Sequence, residues 1–129
     1  MPFVRIDLHE GRSKEELSVL SRSIHLAMVE TIDVPEDDYF QAISTHAPGE
    51  LLYDRQYMNI ARSDQQIFIQ ITMKQGRTPR RKQALYARIT ELLQENAGVR
   101  PEDVMIVLTE NTGENWSFGN GIAQFAVEE

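Results

Sequence analysis

The stretch Val4-Arg5-Ile6-Asp7-Leu8 leads into Gly11-Arg12-Ser13, and about 65 residues later Ile69-Gln70-Ile71-Thr72-Met73 leads into Gly76-Arg77-Thr78. Both apolar runs alternate with polar residues, which is the period of a half-buried strand. Each Gly-Arg-hydroxyl triplet opens a helix-like segment, and each of these is followed by a second strand-like run. The sequence therefore predicts one β-α-β unit that is made twice.

Start and stop signals for helices frame both helix-like segments. Ser13 heads the first in a capping-box pattern, and Thr78 heads the second, directly before a proline at the favoured first helical position. Pro35 closes the first segment and Gly98 the second. Two 3.6-period apolar stripes lie between these limits, so we expect two amphipathic helices.

The remaining runs predict the partner strands. Tyr39–Thr45 and Val104–Leu108 follow the two helices, and a short run at Ala123–Val127 could form an extra edge strand. Right-handed crossovers place both helices of such units on one face of the sheet. The fold class is thus α+β, a mixed four-stranded sheet with two helices on one face.

The whole chain, residues 1–129, is expected to form one domain, with pseudo-repeats at about 2–66 and 67–129. The sheet face away from the helices needs a cover, because apolar residues occur on both sides of the strands in the second unit. A second subunit is the natural cover, and we expect a dimer or a small ring.

Composition excludes several classes of protein. The chain carries a formal charge of −7 and no cysteine. Its densest basic cluster, Arg80-Arg81-Lys82, is too small for a nucleic-acid face, so nucleic acid is not an expected partner. Neither a signal peptide nor a membrane span is apparent, which predicts a cytoplasmic protein with no membrane partner. The histidines lack metal-ligand spacing, and neither a metal nor a cofactor is expected.

One asymmetry between the repeats points to chemistry. Pro2 heads the first unit, whereas Ile67 holds the equivalent position of the second. If the first strands of the two units pair antiparallel, Pro2 faces Lys74 to Arg77, and the mirror-related corner sets Arg12 against Ile67. A free α-amino group titrates near about 7.7 to 8.0, so an amino-terminal proline can act as a general acid or base.

The residues around Pro2 suit a small organic acid. Arg77 offers a planar fork that matches a carboxylate, and Lys74 adds a point charge. Asp38 can orient a water molecule or hold a proton, and Trp116 with Phe118 can exclude solvent. Ordinary structural roles remain open for the same residues: a surface ion pair for the arginine, a turn for the aspartate and core packing for the aromatic pair.

The sequence resembles the tautomerase superfamily over nearly its whole length, most closely its malonate semialdehyde decarboxylase branch. The segments that carry the resemblance are Pro2, Asp7–Ser13, Val34-Pro35 with Asp38, His46–Glu50, and Glu110-Asn111 with Trp116-Ser117-Phe118-Gly119. The Trp-Ser-Phe-Gly segment is its most specific element.

The resemblance implies a homotrimer of β-α-β-β-α-β subunits and a catalytic proline that is unmasked when Met1 is removed. It implies that Pro2 is the acid/base, that Asp38 assists it and that Arg77 anchors the substrate carboxylate. The implied apolar wall consists of Trp116, Phe118 and Phe125.

One departure from the branch affects the expected reaction. The branch has Arg-Pro-Arg before its second helix, whereas this chain has Lys74-Gln75-Gly76-Arg77, and lysine lacks the bidentate fork. The leading hypothesis is a keto-enol tautomerase acting on a 2-oxo or enol carboxylic acid such as phenylpyruvate. The alternatives are a decarboxylase or hydratase of 3-oxo acids and a non-catalytic trimer that binds a small acid.

Overall fold

The computed structural model describes residues 2–126. It contains two β-α-β units in succession, which confirms the duplicated fold predicted from the repeat. The elements in chain order are β1 (Phe3–His9), α1 (Lys14–Ile32), β2 (Gln41–His46), β3 (Ile67–Lys74), α2 (Pro79–Ala97) and β4 (Val104–Asn111).

The four strands form one mixed sheet in the order β2-β1-β3-β4. Within each unit the two strands are parallel, whereas β1 and β3 pair antiparallel at the centre. Their register sets Phe3 opposite Thr72 and Leu8 opposite Ile67. The predicted antiparallel pairing of the duplicated strands is therefore confirmed, and it joins the start of β1 to the end of β3.

Both helices cover one face of this sheet, and the hydrophobic core lies between the two layers. Alternate residues of β1 and β3 point into it, as the period of two requires. Burying one such aliphatic side chain contributes about 1.5 to 3 kcal/mol before entropy is counted. Fully buried members of the core include Val4, Ile6, Leu8, Ile67, Ile69, Ile71, Met73, Ile24, Ile32, Leu85, Ile89 and Leu93.

The two helices begin with different caps. In α1 the side chain of Ser13 accepts a hydrogen bond from Glu16 N–H, and Glu16 Oε1 accepts one from Ser13 N–H, which completes the capping box. In α2 the side chain of Thr78 accepts from the N–H of Arg81, which occupies the position equivalent to Glu16. The second helix therefore begins without the reciprocal carboxylate bond.

The carboxyl end of α1 is held by side chains from the second unit. Asp33 ends the helix in the left-handed conformation, with φ of 58°. Arg81 Nε donates to the carbonyl of Thr31 at 3.2 Å, and Arg77 Nη2 donates to that of Ile32 at 3.3 Å. Cations are favourable at this end of a helix dipole, so the two arginines tie α1 to the segment that follows β3.

The expected edge strand at Ala123–Val127 is wrong for residues 123–126, which form turns, while Val127 lies outside the described residues. Positive φ angles at Gly119, Asn120 and Gly121 turn the chain back on itself. The side chain of Phe125 then packs against Phe118 instead of extending along the sheet. The strand β2 begins at Gln41 instead of Tyr39, and the Tyr39 ring packs on α1 at His25, with ring centroids 4.4 Å apart.

The sheet face away from the helices is partly open in the single chain. Phe3, Met105 and Val107 on this face expose 36%, 47% and 44% of their surface. Tyr53, from the connection between β2 and β3, covers Phe68 edge-on at 6.1 Å. Within residues 2–126 no helix is long and apolar enough to cross a membrane.

Candidate active site

Pro2 is a buried residue directly before β1, at the junction of the two units. Because Phe3 pairs with Thr72, extending the register by one residue sets Pro2 opposite Met73 and next to Lys74. The N–H of Val4 donates to the carbonyl of Phe40 at 3.1 Å, which brings the chain after Asp38 to the same sheet end. The fold thus brings the end of β3 and the segment before β2 to the same sheet end as the proline.

A cavity of about 480 Å³ opens at this corner. Its charged lining consists of three cations, Lys74, Arg77 and Arg81, and one carboxylate, Asp38. Pro2 does not line the cavity but lies at the adjoining strand end. The remaining lining residues are Pro35, Gln75, Gly76 and Phe125.

Two backbone carbonyl groups hold the guanidinium of Arg77 in place. Its Nη1 donates to the carbonyl of Lys74 at 3.0 Å, and its Nη2 donates to that of Ile32 at 3.3 Å. Burial lowers the pKa of the guanidinium and the like charge of Arg81 lowers it further, while Asp33, Glu110 and Asp38 act in the opposite direction. Since arginine stays protonated in proteins, the group is a fixed cation at the cavity wall.

Asp38 is half-buried in the loop between α1 and β2, and contacts at Glu36 and Tyr39 hold the loop on either side of it. Its N–H donates to the carbonyl of Pro35 at 3.1 Å in a turn. His25 of α1 donates from Nε2 to the carbonyl of Glu36 at 2.8 Å, and its ring packs against Tyr39. These contacts fix the backbone on each side of the carboxylate.

An aromatic cluster forms the apolar wall. Phe125 lines the cavity, Phe118 meets it edge-on at 5.3 Å, and Trp116 stacks on Phe118 at 5.5 Å. Phe40 completes the cluster, 5.7 Å from Phe118. The indole Nε1 donates to Asn111 Oδ1 at 2.6 Å, so the buried polar edge of the tryptophan is satisfied. Trp116 and Phe118 therefore support Phe125 from behind.

The duplicate corner of the second repeat lacks this combination. It contains a cavity of about 370 Å³ beside Arg12, but Ile67 takes the place of Pro2. Asp103, the counterpart of Asp38, is fully buried and accepts hydrogen bonds from Ser63 N–H and Oγ at 2.7 and 2.6 Å. That carboxylate is committed to structure, so the two corners are not equivalent chemically.

The sequence predicts that Pro2, Lys74 and Arg77 lie at one corner of the sheet. It does not predict that Arg81 also lines the cavity there. The available signal was the repeat itself, since an arginine stands where the first unit has Glu16. Across the described range no group of three or more His, Cys, Asp or Glu side chains is arranged to hold a metal ion.

Comparison with protein families accounts for this architecture. The family model described as tautomerase enzyme matches residues 38–119, and a second model with the same description matches residues 2–54. The chain belongs to the tautomerase superfamily.

Two relatives from Bacillus subtilis (strain 168) span nearly the same length. Probable tautomerase YusQ is 51% identical over 124 residues, covering 96% of this chain and 98% of that protein. Probable tautomerase YrdN is 32% identical over 125 residues, covering 97% and 96% respectively.

Solved structures place the chain in the malonate semialdehyde decarboxylase branch. Malonate semialdehyde decarboxylase superposes with a TM-score of 0.91 at 32% identity, covering 95% of each chain. FG41 malonate semialdehyde decarboxylase inhibited by 3-bromopropiolate superposes with a TM-score of 0.90 at 36% identity, covering 95% of this chain and 93% of that one. A fused 4-OT symmetric trimer, 17% identical with a TM-score of 0.77, shares the fold.

Proposed function

We propose that this protein is a cofactor-independent tautomerase that interconverts the enol and keto forms of a small 2-oxo carboxylic acid such as phenylpyruvate. The observation that carries the proposal is the asymmetry between the two corners. At one of them Pro2 lies at the strand end beside a cavity that three cations line, whereas the other has Ile67 in place of the proline.

The chemistry needs one anchor and one proton carrier. Arg77 binds the substrate carboxylate through its remaining N–H groups, and Lys74 adds a second attraction. The neutral nitrogen of Pro2 removes the enol hydroxyl proton, and the resulting ammonium delivers a proton to the adjacent carbon. The reaction is an isomerisation, so no redox cofactor is consumed.

The other residues of the site support that transfer. The Asp38 carboxylate assists by holding a proton or a water molecule near Pro2, and Phe125 with its aromatic support keeps bulk water away. The proton transfer requires a free amine at Pro2, because an amide nitrogen has no basic lone pair. Met1, which lies outside the described residues, must therefore be removed from the active protein.

The second candidate is decarboxylation or hydration of a 3-oxo acid. It is favoured by the similarity to the two malonate semialdehyde decarboxylases. Protonated Pro2 would polarise the carbonyl while the cations hold the carboxylate. Lys74 is less suited to this task than an arginine because it has no bidentate fork. We therefore expect weak or absent malonate semialdehyde decarboxylation, with Lys74→Arg raising it.

We also propose that the chain assembles as a homotrimer. The exposed apolar residues Phe3, Met105 and Val107 on the open sheet face support self-association, because such residues are buried when a second subunit covers the face. The fused 4-OT neighbour, which shares this fold, is a symmetric trimer.

The test of the proposed function is ketonisation of enol-phenylpyruvate, followed by ultraviolet absorbance. The wild-type protein should accelerate it, and Pro2→Ala should lose most of that activity, about 100-fold or more, while circular dichroism shows an intact fold. A wild-type rate equal to the spontaneous rate, across a panel of 2-oxo acids, would overturn the proposal.

A further inference from the structure

Arg81 lines the cavity without a part in the chemistry described above. Its Nε donates to the carbonyl of Thr31 at 3.2 Å, and its Nη2 pairs with Asp33 Oδ2 at 2.5 Å. Within residues 2–126 its Nη1 makes no hydrogen bond. The guanidinium is thus held from the α1 side, and part of it is left available at the cavity.

The position of Arg81 is unfavourable for its own helix. It lies in the first turn of α2, at the positive end of the helix dipole, where a cation costs about 0.3 to 1 kcal/mol. The equivalent residue of α1 is Glu16, which closes a capping box. The pair with Asp33, whose side chain is 80% exposed, offsets this cost only in part. The arginine is thus unfavourable for α2 but favourable for the carboxyl end of α1, where it bonds the Thr31 carbonyl.

The charged residues that line the cavity near Pro2 also differ from those that line the duplicate cavity near Arg12. Lys74, Arg77 and Arg81 face a single carboxylate in the cavity near Pro2, in a protein whose formal charge is −7. The duplicate cavity is lined by two cations and three carboxylates, namely Arg12, Arg100, Glu10, Glu16 and Asp103. The formal charge of the lining is therefore +2 at the corner near Pro2 and −1 at the duplicate corner.

We propose that Arg81 determines specificity by binding a second anionic group of the substrate, so that the preferred substrate is a short dianionic 2-oxo acid. This inference rests on the proposed tautomerase function. Arg77 holds the carboxylate next to the reacting carbonyl, and Arg81 holds a carboxylate at the far end of the molecule. Both arginines line the same cavity, and the like charge of Arg81 lowers the pKa of Arg77.

The experiment compares enol-oxaloacetate, a dianion, with its 4-methyl ester, a monoanion of nearly the same shape. For the wild-type protein we expect kcat/KM to favour the dianion by about tenfold or more, since the ester loses a charge-assisted hydrogen bond. Arg81→Gln should bring the ratio of the two values close to one. Arg81→Lys, which keeps the charge, should restore part of the preference.

Two control variants separate this role from general charge and from structure. Arg80→Gln removes the same charge from the same turn of α2 at an exposed residue that does not line the cavity, and it should keep the wild-type ratio. Asp33→Asn removes the ion pair but leaves Arg81, and asparagine tolerates the left-handed φ of 58°. It should also keep the wild-type ratio.

The outcomes distinguish this inference from the proposed function. Ketonisation of both substrates with no preference for the dianion, or with a preference that Arg81→Gln leaves intact, would overturn the inference and leave the tautomerase standing. Ketonisation of neither substrate would contradict the tautomerase. In that case calorimetry with succinate and its monomethyl ester tests Arg81 directly, and binding without an Arg81-dependent preference for the dianion would refute its role.

Discussion

Two arginines occupy equivalent places in the repeats, and their surroundings give them different uses. Arg12 donates to the carbonyl of Gln65 at 3.4 Å and faces a corner with Ile67. Arg77 makes two backbone bonds and faces the corner with Pro2. Burial lowers the pKa of both guanidinium groups and nearby carboxylates oppose this at both, but only at Arg77 does a second cation, Arg81, lower the pKa further. Only the corner of Arg77 is lined by more cations than carboxylates.

Substitution of the two arginines should therefore have unequal effects. Losing a charge-assisted hydrogen bond to a carboxylate costs roughly 1.5 to 3 kcal/mol, so Arg77→Ala should lower kcat/KM for enol-phenylpyruvate by about tenfold to 100-fold. Arg12→Ala removes the same side chain from the duplicate corner and should leave kcat/KM near the wild-type value. Unchanged kinetics in Arg77→Ala would remove the proposed anchor.

The sequence predicts the location of Pro2, Lys74 and Arg77 because position in an antiparallel strand pair follows from the repeat. It does not predict the use of Arg81, since that depends on where a long side chain turns as it leaves α2. Here the guanidinium turns to the end of α1 at Thr31 and reaches the cavity wall. Contacts between distant segments of this kind leave no periodic signal.

At the scale of the elements, the aromatic wall depends on a close contact beneath it. A Cβ added to Gly113 would lie 2.8 Å from the carbonyl oxygen of Phe125 and 3.2 Å from its Cβ. The first contact is with backbone, so it cannot be relieved by a rotamer change. The segment after Gly119 closes over this glycine, and this tertiary contact, together with three residues of positive φ, replaces the expected edge strand.

Gly113→Ala should displace Phe125 and weaken the site while the rest of the fold stays intact. We expect kcat/KM to fall by between about threefold and 100-fold, because small misplacements of a site wall are costly. Gly49→Ala is the control for a glycine outside the cavity, since a Cβ there meets no atom within 4 Å, although its φ of 87°, unlike the φ of Gly113, adds backbone strain. Equal kinetic losses in both variants would contradict a specific role for the contact.

The caps of the two helices should differ in their dependence on pH. Backbone and side-chain hydrogen bonds with Ser13 lower the pKa of Glu16. A lowered carboxyl pKa contributes stability above the unfolded value, about 4.3, and this contribution is lost as the pH falls through the folded value. The contribution of the Glu16 carboxylate to the capping box should therefore be complete at neutral pH and be lost in acid, whereas the hydrogen bond from Glu16 N–H to Ser13 Oγ does not titrate.

Removal of each cap tests this difference. Ser13→Ala should lower the free energy of unfolding by about 1 kcal/mol at pH 7, with a smaller loss below pH ~4. Thr78→Ala removes a cap that has Arg81 in place of the glutamate, and its loss should not change over the same pH range. Urea unfolding at several pH values measures both. A pH-independent difference for Ser13→Ala would contradict the capping-box account.

At the scale of the whole molecule, the helices bury one sheet face and leave the other partly exposed. The apolar part of that face lies on β1 and β4, at Phe3, Met105 and Val107. The sequence predicts such an uncovered face, because apolar residues occur on both sides of the strands in the second unit. The number of subunits follows only from the family.

If the chain is a homotrimer, sedimentation equilibrium at micromolar concentration should give a mass of three times the 14.8 kDa of one chain. Val107→Glu introduces a charge on the open face and should shift the distribution towards the monomer, because burying an unpaired charge is costly. Arg80→Gln, on the helical side, should not. A wild-type chain that stays monomeric at this concentration would refute the assembly.

The central claim is that the nitrogen of Pro2 carries the proton, and the state of the amino terminus tests it most directly. Two preparations of the same chain, one with Met1 removed and one with Met1 retained, are verified by intact mass and assayed with enol-phenylpyruvate. We predict that the preparation with a free proline is active and that the other loses catalysis, since its nitrogen is an amide. Equal kcat/KM values for the two preparations would contradict the account.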